Sequence, residues 1–411
     1  MCFLRYSAVT HTAQWHNAGV KTAKLAAAGV VVLAAAVAFG GSSDAADSGS
    51  PAVARYVPAG QVPAHYVAIQ ANGNPDRVPS YAVVRATATG ELLATIKPSP
   101  GYTVLGAAAA DDDRTFVLDE AKWVGYREPN HPQSWQARSY FRLRLNSAGA
   151  SVSLTRLPVT TTGLVTGVAL SADGTRLAIA DRPQPYSEYN PEQVRIYTLA
   201  TGAVRIWSAR GTLIGQGQTQ TGSSSNAPDD TGSLSWTANG KTLAFDWTPF
   251  PGDSSADGTW LLNTALRGTS LLADSRLVQA AGLGAGGVGE TAGCANSLAG
   301  SPTCEGDTIV TPDGSALVCG ATPDTDLFGS QVTDEYLEYS TATGKAHVLG
   351  SWALTNVHEQ AFGVRWSNSS GSVIIASLPG SGSGRPGIIQ GNTFTPLNVP
   401  DDAIPWMNGV W

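Results

Sequence analysis

Charge is scarce in this chain: 14% of its 411 residues are Asp, Glu, Lys or Arg. The basic residues never gather into a cluster, and Arg5, Lys21 and Lys24 stand in an N-terminal stretch of 40 residues without an acid. Beyond it, 22 basic residues face 32 acidic ones. That balance argues against nucleic-acid binding by phosphate neutralisation. Histidine is also sparse. After the first 40 residues only His65, His131, His347 and His358 occur, far apart and without the spacing of a metal pair or a triad. There is no G-x-S-x-G elbow and no C-x-x-C pair, so neither a hydrolase nucleophile nor a zinc site has a local signature. No metal and no cofactor is expected.

Cysteine is limited to Cys2, Cys294, Cys304 and Cys319. Cys294 and Cys304 bracket a Gly/Ser/Ala loop and form the expected disulfide. Cys304–Cys319 is the alternative, because a hairpin turning at Asp313-Gly314 folds Cys319 back toward that loop. A disulfide requires an oxidising compartment, and the N-terminus supplies a route to one. Residues 1–24 form a basic region, and 25–41 hold an apolar run from Leu25 to Phe39. Its length of about 15 residues suits either a signal peptide or an uncleaved anchor. Ala36-Val37-Ala38 favours cleavage, while the long preceding region favours retention with the positive end inside. No Cys follows the run, which argues against a lipoprotein. Residues 42–62, rich in Gly, Ser, Asp, Ala and Pro, read as a flexible linker to a folded body over 63–411.

What is abundant there is a repeated phrase. It occurs as Val168-Ala-Leu-Ser-Ala-Asp173-Gly174-Thr-Arg-Leu177-Ala-Ile179 and as Leu234-Ser-Trp236-Thr-Ala-Asn239-Gly240-Lys-Thr-Leu243-Ala-Phe245. It returns as Ile309-Val-Thr-Pro-Asp313-Gly314-Ser-Ala-Leu317-Val-Cys319, and loosely from Val364 to Ile375. Asp-Gly and Asn-Gly tolerate the positive φ of tight hairpin turns, and the alternating apolar flanks mark half-buried strands. Recurrence at roughly 40–75 residues indicates a repeat architecture. A second phrase, strand-Thr-Gly-strand, alternates with the first at Thr89-Gly90, Thr201-Gly202 and Thr343-Gly344, with weaker copies ending at Gly149, Gly268 and Gly391. Two hairpins per unit give four strands, the content of one propeller blade. The expected fold is an all-β propeller of six four-stranded blades, or seven if one lies within the long connections, preceded by one apolar helix. The first unit lacks an inner strand before Tyr66, and the tail Ile404–Trp411 is in surplus. Pairing of the tail with the first blade would close the ring and remove a sheet edge.

The stretch Leu234–Asp246 resembles the repeat of WD40-like, TolB-type propellers, and Ser171–Gly174 and Thr311–Gly314 carry the same turn. The Trp-Asp and Gly-His dipeptides of true WD40 blades are absent. The resemblance therefore concerns fold. With the Ala/Gly/Thr bias, it implies an exported propeller of the type found in high-GC bacteria, mostly interaction or sensing domains.

Four connections are long: Gly211–Thr231, Gln279–Asp307, Pro183–Gln193 and Val124–Ala137. Within or beside them stand Trp123, Tyr126, Trp135, Tyr186 and Tyr189, the candidate ligand- or partner-binding residues, since loop-borne rings stack on sugars or serve as protein hot spots. Trp236, Trp247, Trp260 and Trp366 read instead as packing between blades. Asp111-Asp112-Asp113 aligns with a blade turn and reads as solvated, not as a calcium site. Gly282–Gly287 fits G-x-G-x-x-G but lacks the βαβ surroundings of a dinucleotide site. Asn368-Ser-Ser370 matches a glycosylation sequon and equally a simple Asn turn, and the turn is the favoured reading. The expected function is non-catalytic recognition of a protein or cell-envelope ligand by an extracytoplasmic monomer, membrane-bound if its N-terminal segment is retained. The alternative is an exported hydrolase or lyase with its site at the central channel.

Overall fold

A computed structural model of the chain describes residues 62–70, 79–122, 137–146, 151–183, 192–209, 234–247, 258–267, 269–280, 305–324, 331–355, 363–378, 385–397 and 410–411. The strands they form make a six-bladed β-propeller. Blade 1 holds β1 (His65–Gln70), β2 (Tyr81–Ala86) and β3 (Leu92–Ile96). Blade 2 holds β4 (Tyr102–Ala109), β5 (Thr115–Lys122), β6 (Arg138–Leu145) and β7 (Val152–Thr161). Blade 3 holds β8 (Gly163–Leu170), β9 (Arg176–Pro183), β10 (Gln193–Thr198) and β11 (Ala203–Ser208). Blade 4 holds β12 (Ser235–Trp236), β13 (Thr242–Trp247), β14 (Gly258–Asn263) and β15 (Ser275–Ala280). Blade 5 holds β16 (Glu305–Val310), β17 (Ala316–Asp324), β18 (Gln331–Ser340) and β19 (Ala346–Thr355). Blade 6 holds β20 (Gly363–Ser367), β21 (Val373–Leu378), β22 (Arg385–Gln390) and β23 (Thr393–Pro396).

Each blade is an antiparallel meander in chain order. Blades 5 and 6 also touch through their inner strands, where Asp307 and Gly363 form a parallel pair. The inner hairpins owe their shape to the first repeated phrase. The second turn residue has φ 66° at Gly174 and 61° at Gly240, and Asp113 takes this left-handed place in blade 2 at 58°. The residue before it braces the turn with its side chain. Asp173 Oδ1 accepts from the Thr175 amide at 3.0 Å and from Ser171 Oγ at 2.6 Å. Asn239 Oδ1 does the same for Lys241 and Thr237, and Asp313 Oδ1 for Ser315 and Thr311. The acidic run falls where its alignment puts it: Asp112 Oδ1 accepts the amides of Arg114 and Thr115 at 3.0 and 2.7 Å. Burial pushes the Asp112 carboxyl up, but these bonds and the Thr115 hydroxyl together hold it below its ordinary value. At the fourth position of the same kind, Asn368 Oδ1 accepts the Val373 amide, so this Asn does brace a turn.

Burial is organised by junction. Alternation along every strand sends one set of side chains to each flank of a blade, and six apolar clusters result, one between each neighbouring pair of blades. Trp236, Trp247 and Trp260 fill the junction of blades 3 and 4, and Trp366 packs between blades 6 and 1. Ring closure follows the expected route. Val67 and Val410 form an antiparallel bridge with amide–carbonyl distances of 3.0 and 2.9 Å, and Trp411 stacks on Tyr66 at 5.0 Å. Val410 thus stands on the inner side of β1, in the place the first blade leaves vacant.

The meander makes the two ends of the propeller unlike. First-to-second and third-to-fourth strand turns lie at one end, the turn end. Second-to-third connections and those between blades lie at the other, the loop end. Of the internal segments outside the described residues, only 147–150 and 268 belong to the turn end. Turn-end residues interlock from blade to blade: Asp111 N donates to Ala172 O at 3.1 Å, and Ala238 N to Pro312 O at 2.6 Å. The expected long connection from Gln279 to Asp307 is shorter than its sequence implied, because β15 runs to Ala280 and β16 starts at Glu305. Among the described residues no helix is long and apolar enough to cross a membrane, and the 25–39 run lies outside them.

Candidate functional site

The described residues hold one concentration of buried charge, and it sits at the loop end of the junction between blades 2 and 3. Strand β5 is apolar from Phe116 to Leu118 and carries Asp119 and Glu120, both buried, near its end. Asp119 follows Val117 on the flank facing blade 3, since residues two apart share a flank. Arg138, the first residue of β6, donates from Nη1 to Asp119 Oδ2 in a buried ion pair. Its other terminal nitrogen reaches across the junction to Val165 O at 3.4 Å. From blade 3, Asp181 follows Leu177 and Ile179 along β9, and Arg195 Nε lies 2.8 Å from its Oδ1. Tyr140 stands between the pairs, fully buried, with its hydroxyl 2.9 Å from Thr161 Oγ1.

The space for Asp119 comes from Gly106 on the inner strand. A Cβ at position 106 would fall 2.8 Å from Asp119 Oδ1. Register explains the vacancy, for Gly106 pairs with Asp119 directly beside a bulge in β4. A similar bulge in β8 frees Thr166, whose hydroxyl donates to Glu192 Oε1 at 2.8 Å. On the flank toward blade 1, Glu120 Oε2 accepts the Ser99 amide at 3.2 Å.

The electrostatics are uneven. Burial pushes the Asp181 carboxyl up to about 6, against the opposing pull of the Arg195 guanidinium. Asp119 Oδ1 and Asp181 Oδ2 have no hydrogen-bond partner among the described residues. Burial, reinforced by the charge of Asp119, raises the Tyr140 phenol well above its usual range, so it stays protonated. Asp119 and Asp181 are each tied to an arginine and shielded from solvent, which suits fixing strand ends better than general acid–base chemistry. Among the described residues no group of three His, Cys, Asp or Glu is placed to hold a metal ion.

The nominated aromatics, Trp123, Tyr126, Trp135, Tyr186 and Tyr189, all lie outside the described residues, as do Cys294, Cys304, His131, His358 and the glycine-rich 282–287 run. Their attachment points are nonetheless instructive. Segment 123–136 leaves β5 just after the Asp119 strand end and returns at Arg138. Segment 184–191 leaves β9 just after Asp181 and returns close before Arg195. Both aromatic-bearing connections therefore start and finish on the buried charge layer. Of the remaining candidates, His65 Nδ1 bonds Asp113 O at 2.9 Å across the first junction, and His347 is exposed on β19. Cys319 is fully buried and disulfide-bonded, to a residue outside those described. Sequence reasoning missed Asp119, Arg138, Asp181 and Arg195. The available signal was an acid closing the apolar second strand of a blade, as at Asp119, Asp181 and Asp246.

No protein-family model matches the chain, and no curated protein matches it either. Solved structures do. TolB from Acinetobacter baumannii is 11% identical over 81% of this chain and 62% of its own length, with a TM-score of 0.47. TolB-type propellers are among its structural neighbours. A putative TolB from Agrobacterium tumefaciens is 11% identical, over 80% and 87% of the two chains, at a TM-score of 0.38. An oligogalacturonate lyase from Vibrio parahaemolyticus is 12% identical, over 79% and 73%, at 0.41. The chain spans 62% of the length of the A. baumannii TolB. Identities this low concern architecture and carry no activity across.

Proposed function

We propose that this chain is an extracytoplasmic, non-catalytic recognition module whose loop end binds a protein or cell-envelope ligand. The observation that supports the reading is the asymmetry of the propeller. The turn end is closed by braced hairpins that bond from blade to blade, whereas every second-to-third connection and every blade-to-blade crossing emerges at the other end. Rigid scaffolds that present variable connections on one side are suited to recognition, because the ordering cost is met by the scaffold and the contacts by the loops. The five aromatic residues on two neighbouring connections supply the kind of side chain that dominates such contacts. Export follows in this reading from the apolar N-terminal run, as a cleaved signal or a retained anchor.

The test is a pull-down from intact envelope with the 63–411 body and with a variant in which 124–137 is replaced by a short Gly/Ser linker. A partner retained by the first and lost by the second supports the reading. Failure of both to retain any specific partner overturns it.

A further inference from the structure

Among the described residues the junction between blades 2 and 3 is the one that adds ion pairs to its apolar cluster. A buried ion pair adds little net stability, since desolvation cancels most of the Coulomb gain. Asp181 is the extreme member. It is completely inaccessible, and among the described residues Arg195 Nε is its one charged contact and Oδ2 faces no donor. Arg195 itself keeps a fifth of its side-chain surface in solvent, so it can be hydrated without the acid. Among the described residues the titratable groups that act on Asp181 are Arg195 from its own blade and Tyr140 from blade 2. Arg138 is already committed to Asp119 and Val165, and Tyr140 to Thr161.

We propose that the loop end of this junction is a proton-controlled clasp, closed when Asp181 is protonated and loosened when it ionises. A neutral carboxylic acid sits at low cost among Val165, Ile179 and Tyr140. An ionised one with a single flanking guanidinium is better solvated if the two blades part at that end. The proton exchanges with solvent, and no other bond is made or broken. Because β9 and β10 carry the 184–191 connection and β6 receives the 123–136 connection, loosening alters the footing of both. The clasp needs no ligand, so it stands or falls separately from the recognition role.

Burial holds Asp181 at about 6 when closed, against 3.8 for a solvated aspartate. Linkage then makes the opening equilibrium about tenfold more favourable at pH 7.5 than at pH 5. Hydrogen exchange on the full chain, corrected for intrinsic rates, should show about a tenfold loss of protection across that range in peptides from β9, β10 and the start of β6. Asp181→Asn should show slow exchange at both pH values, while Asp246→Asn, the acid closing β13, should leave the response intact. The infrared band of a protonated buried carboxylic acid, present at pH 5 and lost by 7.5 in the unaltered protein, gives a second reading that needs no variant. Equal protection at the two pH values, or the same pH response in Asp181→Asn, overturns the proposal, as does absence of the acid band at pH 5.

Discussion

Trp411→Ala tests whether the ring is held shut where the last described residues meet the first blade. Trp411 is buried among Tyr66, Ala68, Val83, Val373, Ile375, Ile388 and Leu397, which belong to blades 1 and 6. Truncating a buried Trp to Ala removes about 3–5 kcal/mol through lost transfer energy and the cavity left behind. Stacking on Tyr66 at 5.0 Å accounts for about 0.5–1.5 kcal/mol beyond area burial. A loss near 4 kcal/mol is a large part of a domain stability of about 5–15 kcal/mol. With a urea slope of about 3 kcal/mol per molar, the midpoint should fall by more than about 1 M. Hydrogen exchange should accelerate in β1, β21 and β22 before it does in blades 3 and 4. Tyr66→Phe is the control. The Tyr66 hydroxyl is buried without a partner, and burial pushes its phenol up to about 12 despite the opposing Arg85 charge. Its removal should therefore cost nothing. A midpoint shift below about 0.3 M for Trp411→Ala, or uniform acceleration over all six blades, refutes closure at this contact.

Three further outcomes are expected. Gly106→Ala drives a methyl into Asp119 Oδ1 and should cost about 3 kcal/mol by urea unfolding, since it disrupts a buried ion pair. Combined with Asp119→Ala the penalty should largely vanish, and additive losses would show that the clash is not the cause. Asp173→Ala should cost about 1 kcal/mol through the lost turn bonds, whereas Asp173→Asn should be near neutral because Asn239 makes the same contacts in blade 4. Equal losses for both would contradict that account. Stability should also respond to Asp181. Its folded value, about 6, lies above 3.8, so its contribution is complete below the lower value and lost as pH rises through the upper one. Between pH 5 and 7.5 the unfolding free energy should fall by about 1.4 kcal/mol from this group, the equivalent of tenfold, and Asp181→Asn should remove that slope.

The fold was readable because the chain repeats a backbone solution. Asp-Gly and Asn-Gly turns at 173–174, 239–240 and 313–314 mark inner hairpins, and the Thr-Gly turns at 89–90, 201–202 and 343–344 mark outer ones. Both depend on local conformational preference, which a sequence displays directly. Blade 2 was legible only by alignment with the other blades, since Asp113 stands where their inner turns have Gly174, Gly240 and Gly314. Ring closure could be inferred from one strand missing at Tyr66 and one to spare near Trp411, a deduction from counting. Strand ends were less legible. The start of β16 and the end of β15 take residues that read as connection, because pairing with neighbouring strands extends them past their own apolar runs.

The charge layer was illegible for the opposite reason: nothing local distinguishes it. Asp119, Asp181 and Asp246 each close an apolar strand, where an acid ordinarily meets water. What separates them is the neighbouring blade. Asp246 meets Thr259 of its own blade at 2.6 Å, whereas Asp119 and Asp181 are sealed by each other's blades and by arginines that lie beyond the intervening connections. Their burial is therefore a product of the radial arrangement and has no counterpart in strand periodicity. That location also limits what the layer is for. Among the described residues the other five junctions hold without an ion pair, through apolar clusters and hydrogen bonds such as Trp236 Nε1 to Ala169 O, so blade cohesion does not require the ions. Acid–arginine contacts fix direction as well as proximity, and here each joins the strand on which a connection departs to the strand on which it returns. Asp119–Arg138 spans the 123–136 connection, and Asp181–Arg195 spans 184–191. A layer that adds little cohesion yet clamps both feet of two adjacent connections is best understood as setting where those connections stand.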